Sequence, residues 1–160
     1  MLNPDSDVRL RGIVRDSKQL SHKTRALAYK HILDCALTYS VGSCAANVID
    51  RIGIVSATRL AMLRAITSLG TRPDHLLIDA LDLPTLDIDQ TSLIKGDVYC
   101  LTISAASVVA KVTRDRLMES VFHIKYPEYG FATHKGYGTE AHLVALNHMG
   151  PTPIHRRSFA

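Results

Sequence analysis

An α/β domain is the fold class this sequence predicts, and three observations predict it. Two short apolar runs each close on a carboxylate, His75-Leu76-Leu77-Ile78-Asp79 and Ser92-Leu93-Ile94-Lys95-Gly96-Asp97. Stretches with helical periodicity alternate with those runs, as expected when strands and helices interleave. The chain has 160 residues, 46% of them hydrophobic and 21% charged, enough for one domain with a buried core.

The elements follow in order. Residues 1–21 are rich in Asp, Arg and Ser and read as irregular. Ser21 suits the N-cap of a helix from His22 to about Leu37, with Leu27, Ile32 and Leu33 near one face. Thr38 to Cys44 alternates loosely and reads as a short strand. A second helix is expected from Ile54 to Leu69, with Val55, Leu60, Met62, Leu63 and Ile66 apolar and Gly70 as its stop. Pro73-Asp74 turns into the strand that ends at Asp79. Residues 80–90 read as an acidic loop, and the strand to Asp97 follows.

From Tyr99 to Ile124 the pattern is helical. Ser104-Ala105-Ala106-Ser107 makes its early part slim enough for a backbone or a substrate to approach closely. Tyr126-Pro127-Glu128-Tyr129-Gly130 reads as a loop. A short helix from Thr139 to Met149 stops at Gly150-Pro151, and a basic extended tail completes the chain.

Composition narrows the function. Net charge is +4, which favours polyanionic partners only modestly. No apolar run approaches the roughly 18 residues of a membrane span, and Met1-Leu2-Asn3-Pro4-Asp5 does not read as a secretory signal. Cys35, Cys44 and Cys100 lie far apart without a Cys-x-x-Cys, as expected of reduced thiols in the cytoplasm. The eight histidines have no compact ligand spacing and read as surface or structural residues.

Asp79 and Asp97 are the candidate catalytic and metal-binding pair. An acid after a strand is often only a loop cap. Two at neighbouring strand ends could instead hold divalent ions and assist hydrolysis of a phosphodiester. Asp82, Asp87 and Asp89 read as solvated loop acids. Lys95-Gly96-Asp97 lacks the Gly-x-x-x-x-Gly-Lys pattern of a triphosphate loop. In His134-Lys135-Gly136-Tyr137-Gly138-Thr139, glycines bracket a tyrosine whose ring could face a sugar or base, and Lys135 could meet a phosphate. Asp16-Ser17-Lys18 reads as a phosphate-contacting turn or a plain surface loop, and Arg156-Arg157 as a solvated basic tail.

In order and spacing these segments resemble the motifs of bacterial ribonuclease HII. The match runs through Asp16-Ser17-Lys18-Gln19-Leu20-Ser21, Leu77-Ile78-Asp79, Ile94-Lys95-Gly96-Asp97 and Ala105 to Asp115. It continues through Tyr126-Pro127, His134 to Thr139, and Gly150 to Phe159. The resemblance implies a ribonuclease H-like mixed five-stranded sheet flanked by helices. It implies an endoribonuclease acting on RNA–DNA hybrids and on duplex DNA carrying ribonucleotides, with cleavage 5′ of the ribonucleotide. It also implies Mn²⁺ or Mg²⁺ held by Asp79 and Asp97, and Tyr137 stacked on the sugar at the RNA-to-DNA junction. Ser17, Lys18 and Lys135 would be backbone contacts, and the protein a cytoplasmic monomer with no membrane partner.

The departures are specific. Ala80 stands where the family often has Gly, and Cys100 and Thr102 stand where serines are common. The family's adjacent Asp-Glu pair, which completes its carboxylate set, and its Gly-Arg-Gly do not occur in these 160 residues. Residues 1–160 are therefore expected to be an N-terminally incomplete ribonuclease H type 2 domain, without the first strand and most of the second. A truncated, inactive hybrid-binding remnant is the alternative.

Overall fold

A computed structural model describes residues 1–3, 10, 14 and 20–158. The chain is α/β and forms two compact units. The first holds Met1–Cys44 and Val55–Val112, the second Ala45–Ile54 and Thr113–Ala160.

In the first unit, helix α1 spans His22–Cys35. Ser21 caps it as expected, its hydroxyl accepting from the Thr24 N–H at 3.1 Å. Its buried face is Ala28 and Ile32, whereas Leu27 is exposed. That face packs with Leu10, Val14, Ala105, Val108, Val109 and Val112 in the larger apolar cluster. The slim Ser104–Ser107 stretch thus serves core packing, with Ser104 and Ala105 buried.

The strand expected over Thr38–Cys44 does not form. These residues are tied to a helix instead. Ser40 donates to the Ala65 carbonyl at 2.7 Å, Arg64 donates to the Ser43 carbonyl at 2.7 Å, and the Cys44 thiol donates to the Ala57 carbonyl at 3.3 Å. Two side chains of the segment donate to helix carbonyls and one helix side chain donates back to the segment, in place of a ladder, and alternation alone could not reveal the exchange. A helix that the sequence did not announce follows: α2, Ala46–Ile52, closed by Gly53 at φ 78°. Helix α3 then spans Ile54–Thr67.

Strands β1 (His75–Asp79) and β2 (Asp89–Leu93) pair in parallel, Asp79 opposite Leu93. Among the described residues they make a two-stranded sheet. Leu76 and Ile78 point into a second cluster with Leu83, packed against Met62 and Ile66 of α3. The connection over residues 80–88 is short for a parallel crossover. Gln90 secures it, its amide accepting from Leu83 N–H at 2.7 Å and donating to Leu83 C=O at 3.1 Å.

β2 ends earlier than expected. Lys95 turns left-handed at φ 57° and a single-turn helix, α4 (Gly96–Tyr99), carries Asp97. Asp97 is therefore on a helical turn beyond the strand, not at its end. The long helical stretch begins separately as α5, Leu101–Leu117.

In the second unit, the chain beyond α5 continues through a π-helical turn (Met118–Phe122), α6 (His123–Lys125), a 3-10 turn (Pro127–Tyr129) and α7 (Phe131–His134). Helix α8 is Glu140–Met149, with Thr139 as N-cap. Met118, Tyr129 and Phe131 form its core with Leu146 and Ile154 against them. The tail is held as well as basic: Asp50 accepts from the backbone N–H groups of Arg157 and Ser158 at 2.9 Å each. Those bonds hold the Asp50 carboxyl below its ordinary range.

Gly42 shows how closely the extended segment lies on α3. A Cβ there would sit 1.9 Å from the Ala61 carbonyl oxygen, which is backbone and cannot swing away. Gly42→Ala should cost about 2 kcal/mol or more, read as a lower denaturant midpoint at unchanged slope.

Candidate active site

Asp79 and Asp97 both lie in the first unit. Parallel pairing puts the end of β1 beside the exit of β2, and the Ala80 N–H donates to Leu93 C=O at 3.0 Å. The Gly96 N–H then donates to Asp79 Oδ1 at 2.8 Å. One Asp79 oxygen is thus fixed by the backbone residue that immediately precedes Asp97. Asp79 is half-buried and Asp97 is 8% exposed. Gly96 itself is packed tightly, since a Cβ there would meet Ile103 Cδ1 at 2.6 Å.

This donor set suits a hard divalent ion. Mg²⁺ is usually held by one or two carboxylates plus substrate phosphates, keeping several waters. Asp79 and Asp97 are oxygen donors of that kind and are the residues that would hold such an ion. Among the described residues, no group of three or more His, Cys, Asp or Glu side chains gathers to hold a metal.

The other expected contacts fall elsewhere. Tyr137 and Lys135 share a loop of the second unit, between α7 and α8. The Tyr137 ring is 55% exposed, and the Arg114 guanidinium lies over it at 5.3 Å from the centroid. Arg114 carried no signal in the sequence, because the pairing joins the end of α5 to a distant loop. The Lys135 ammonium pairs with Glu119 at 2.5 Å and donates to the Ala132 carbonyl, leaving its side chain 13% exposed. A phosphate contact by Lys135 would have to displace Glu119. Ser17 and Lys18 lie outside the described residues.

Three described non-glycine residues have positive φ: Ala80, Lys95 and Lys135. Each is within two residues of Asp79, Asp97 or Tyr137. Such outliers cost of order 1–2 kcal/mol each and often collect at functional sites. Ala80, at φ 57°, shows why glycine suits that position.

Beside the Tyr137 loop lies an aromatic cluster that no spacing in the sequence announces. The His134 and His142 rings stack at 4.5 Å, and His142 Nε2 is 3.1 Å from His155 Nε2. Phe131 packs edge-on against His134 and His142. Burial pushes His134 and His155 below the ordinary histidine range, reinforced in both by the neighbouring His142. For these three, the structural reading of the histidines holds.

The architecture is thus α/β, with Asp79 at the end of one of two parallel strands and Asp97 on the turn beyond the other. It is the class of fold found in ribonuclease H-type proteins. Residues 2–160 match the family model described as Ribonuclease HII. The chain is 52% identical over 153 residues to the ribonuclease HII of Halalkalibacterium halodurans, covering 96% of this chain and 57% of that one. To the ribonuclease HII of Chloroflexus aurantiacus it is 51% identical over 146 residues, covering 91% and 68%. A solved structure, the ribonuclease H2 of Pyrococcus horikoshii OT3, superposes with a TM-score of 0.75 at 26% identity, over 99% of this chain and 82% of that one. The chain belongs to the ribonuclease HII family. It spans a little over half the length of several curated relatives that it matches. Among the described residues no helix is long and apolar enough to cross a membrane.

Two outcomes follow. Ala80→Gly should raise stability by about 1 kcal/mol, measured by chemical unfolding, because glycine adopts the left-handed conformation without penalty. Because His134 and His155 resist protonation in the fold, the unfolded chain binds more protons in acid. Stability should therefore be level above pH 6.5 and fall as pH drops below it, until their lowered values are passed. Each imidazole contributes at most about 1.4 kcal/mol per pH unit, read by thermal unfolding across that range.

Proposed function

We propose that this protein acts as an endoribonuclease on RNA–DNA hybrids and on duplex DNA with embedded ribonucleotides, cutting 5′ of the ribonucleotide. The observation that carries this reading is the Asp79 carboxylate, fixed by the Gly96 N–H beside Asp97. Family membership supports the same chemistry.

Asp79 and Asp97 would hold Mn²⁺ or Mg²⁺. Such an ion, when bound, supplies the Lewis acidity that stabilises charge developing at the phosphoryl group. The side chains do the positioning. The Gly96 N–H commits one Asp79 oxygen and so sets where the other points. Tyr137 offers a half-exposed ring to the sugar at the RNA-to-DNA junction, with Arg114 on one face adding positive charge. Water adds to phosphorus and the bond from phosphorus to the 3′ oxygen breaks, leaving 3′-hydroxyl and 5′-phosphate ends.

A second reading is a hybrid-binding protein without catalysis, which would use the exposed Tyr137 and the Arg114 guanidinium over its ring and need neither Asp79 nor Asp97.

Cleavage of a duplex carrying one ribonucleotide, in Mn²⁺, separates the readings. The first expects a cut on the 5′ side, and Asp79→Asn should reduce it by more than the roughly 100-fold that loss of an outer-shell partner can cost. Binding without any cut, and unchanged by Asp79→Asn, would establish the second. Neither binding nor cutting would sink both.

A further inference from the structure

We propose that His142, backed by His155, is a positioning residue for Tyr137: a chain of hydrogen-bonded imidazoles helps to fix the Tyr137 backbone and so the place where its ring is presented. This inference rests on the reading that Tyr137 contacts the nucleic acid.

The hydrogen bonds determine where each proton sits. The Thr152 N–H donates to His155 Nδ1 at 2.9 Å, and the Thr152 hydroxyl lies 2.8 Å from the same nitrogen; with Nδ1 accepting, the proton of a neutral His155 is on Nε2. That N–H faces His142 Nε2 at 3.1 Å. His142 Nε2 therefore accepts, and its proton is on Nδ1, which donates to the Tyr137 carbonyl at 2.9 Å. The sequence of bonds runs in one direction from Thr152 to Tyr137. His134 is set independently. It accepts from the Gly136 N–H at Nδ1 (3.1 Å) and donates from Nε2 to the Tyr129 carbonyl at 2.6 Å.

Both backbone groups of Tyr137 are held: its N–H donates to the His134 backbone carbonyl at 2.9 Å, and its C=O accepts from the Thr139 N–H at 2.8 Å as well as from the His142 ring. The loop needs holding, because Lys135 and Gly136 are consecutive left-handed residues, at φ 53° and 79°. The Tyr137 ring is left outside, 55% exposed.

The test combines a spectrum with a binding cycle on the 160-residue chain. In a two-bond ¹H–¹⁵N spectrum at pH 7.5, His142 should be the Nδ1–H tautomer and His134 and His155 the Nε2–H tautomer. An Nε2–H His142 overturns the proposal, whatever the binding results. In metal-free binding of a labelled duplex with one ribonucleotide, Tyr137→Ala should weaken affinity about tenfold. His142→Ala should lose a similar factor, and the double variant no more than either single one. His142→Asn, whose amide N–H can replace Nδ1–H, should bind close to wild type and stands in if His142→Ala does not fold. A double variant about a hundredfold weaker, or His142→Asn as weak as Tyr137→Ala, overturns the positioning role and spares the stacking role. Wild-type affinity in Tyr137→Ala, or no binding by the wild type, overturns the stacking reading and this inference with it.

Discussion

The bond from the Gly96 N–H to the Asp79 carboxylate ties a strand end to the turn beyond its neighbour, and the candidate chemistry hangs on it. It exists because β1 and β2 are parallel, so both exits lie at one edge of the sheet. Antiparallel pairing would have sent the two acids to opposite edges. Parallel pairing in turn demands a crossover. Here residues 80–88 make it without a helix, held by Gln90 and by Leu83 in the small cluster under α3. The carboxylate arrangement is therefore a consequence of packing several residues away from either acid.

Local strain is distributed with the same economy. Ala80, Lys95 and Lys135 all adopt left-handed backbone, and each is next to the turn that delivers a candidate functional side chain. The penalties are small individually, and nearby contacts over-determine the turns. The Ala80 N–H is bonded to Leu93, and the Lys135 N–H to Phe131. Tight turns of this kind place a side chain with less freedom than a loop of relaxed residues would.

In the second unit, polar groups take on work that apolar side chains do elsewhere. Phe131 is almost fully buried, yet imidazoles surround it. Buried polar atoms are costly unless paired, and here the ring nitrogens of His134, His142 and His155 all find partners. A network so fully satisfied specifies one geometry for the loop it supports.

The sequence by itself determined the local elements. Ser21 announced its helix because capping is settled within a few residues. The apolar run before Asp79 announced β1, and the ordered motifs pointed to the ribonuclease HII family. Tertiary structure decided the rest. Thr38–Cys44 alternates like a strand, but α3 offered two carbonyls and the Arg64 side chain where a neighbouring strand was needed. Asp97 moved from a strand end to a helical turn because Lys95 reverses the backbone two residues before it. His134, His142 and His155 show no ligand spacing, and only folding brings their rings within hydrogen-bonding and stacking distance. Periodicity and capping act over a few residues, whereas these contacts join segments far apart in the chain, so no local pattern encodes them.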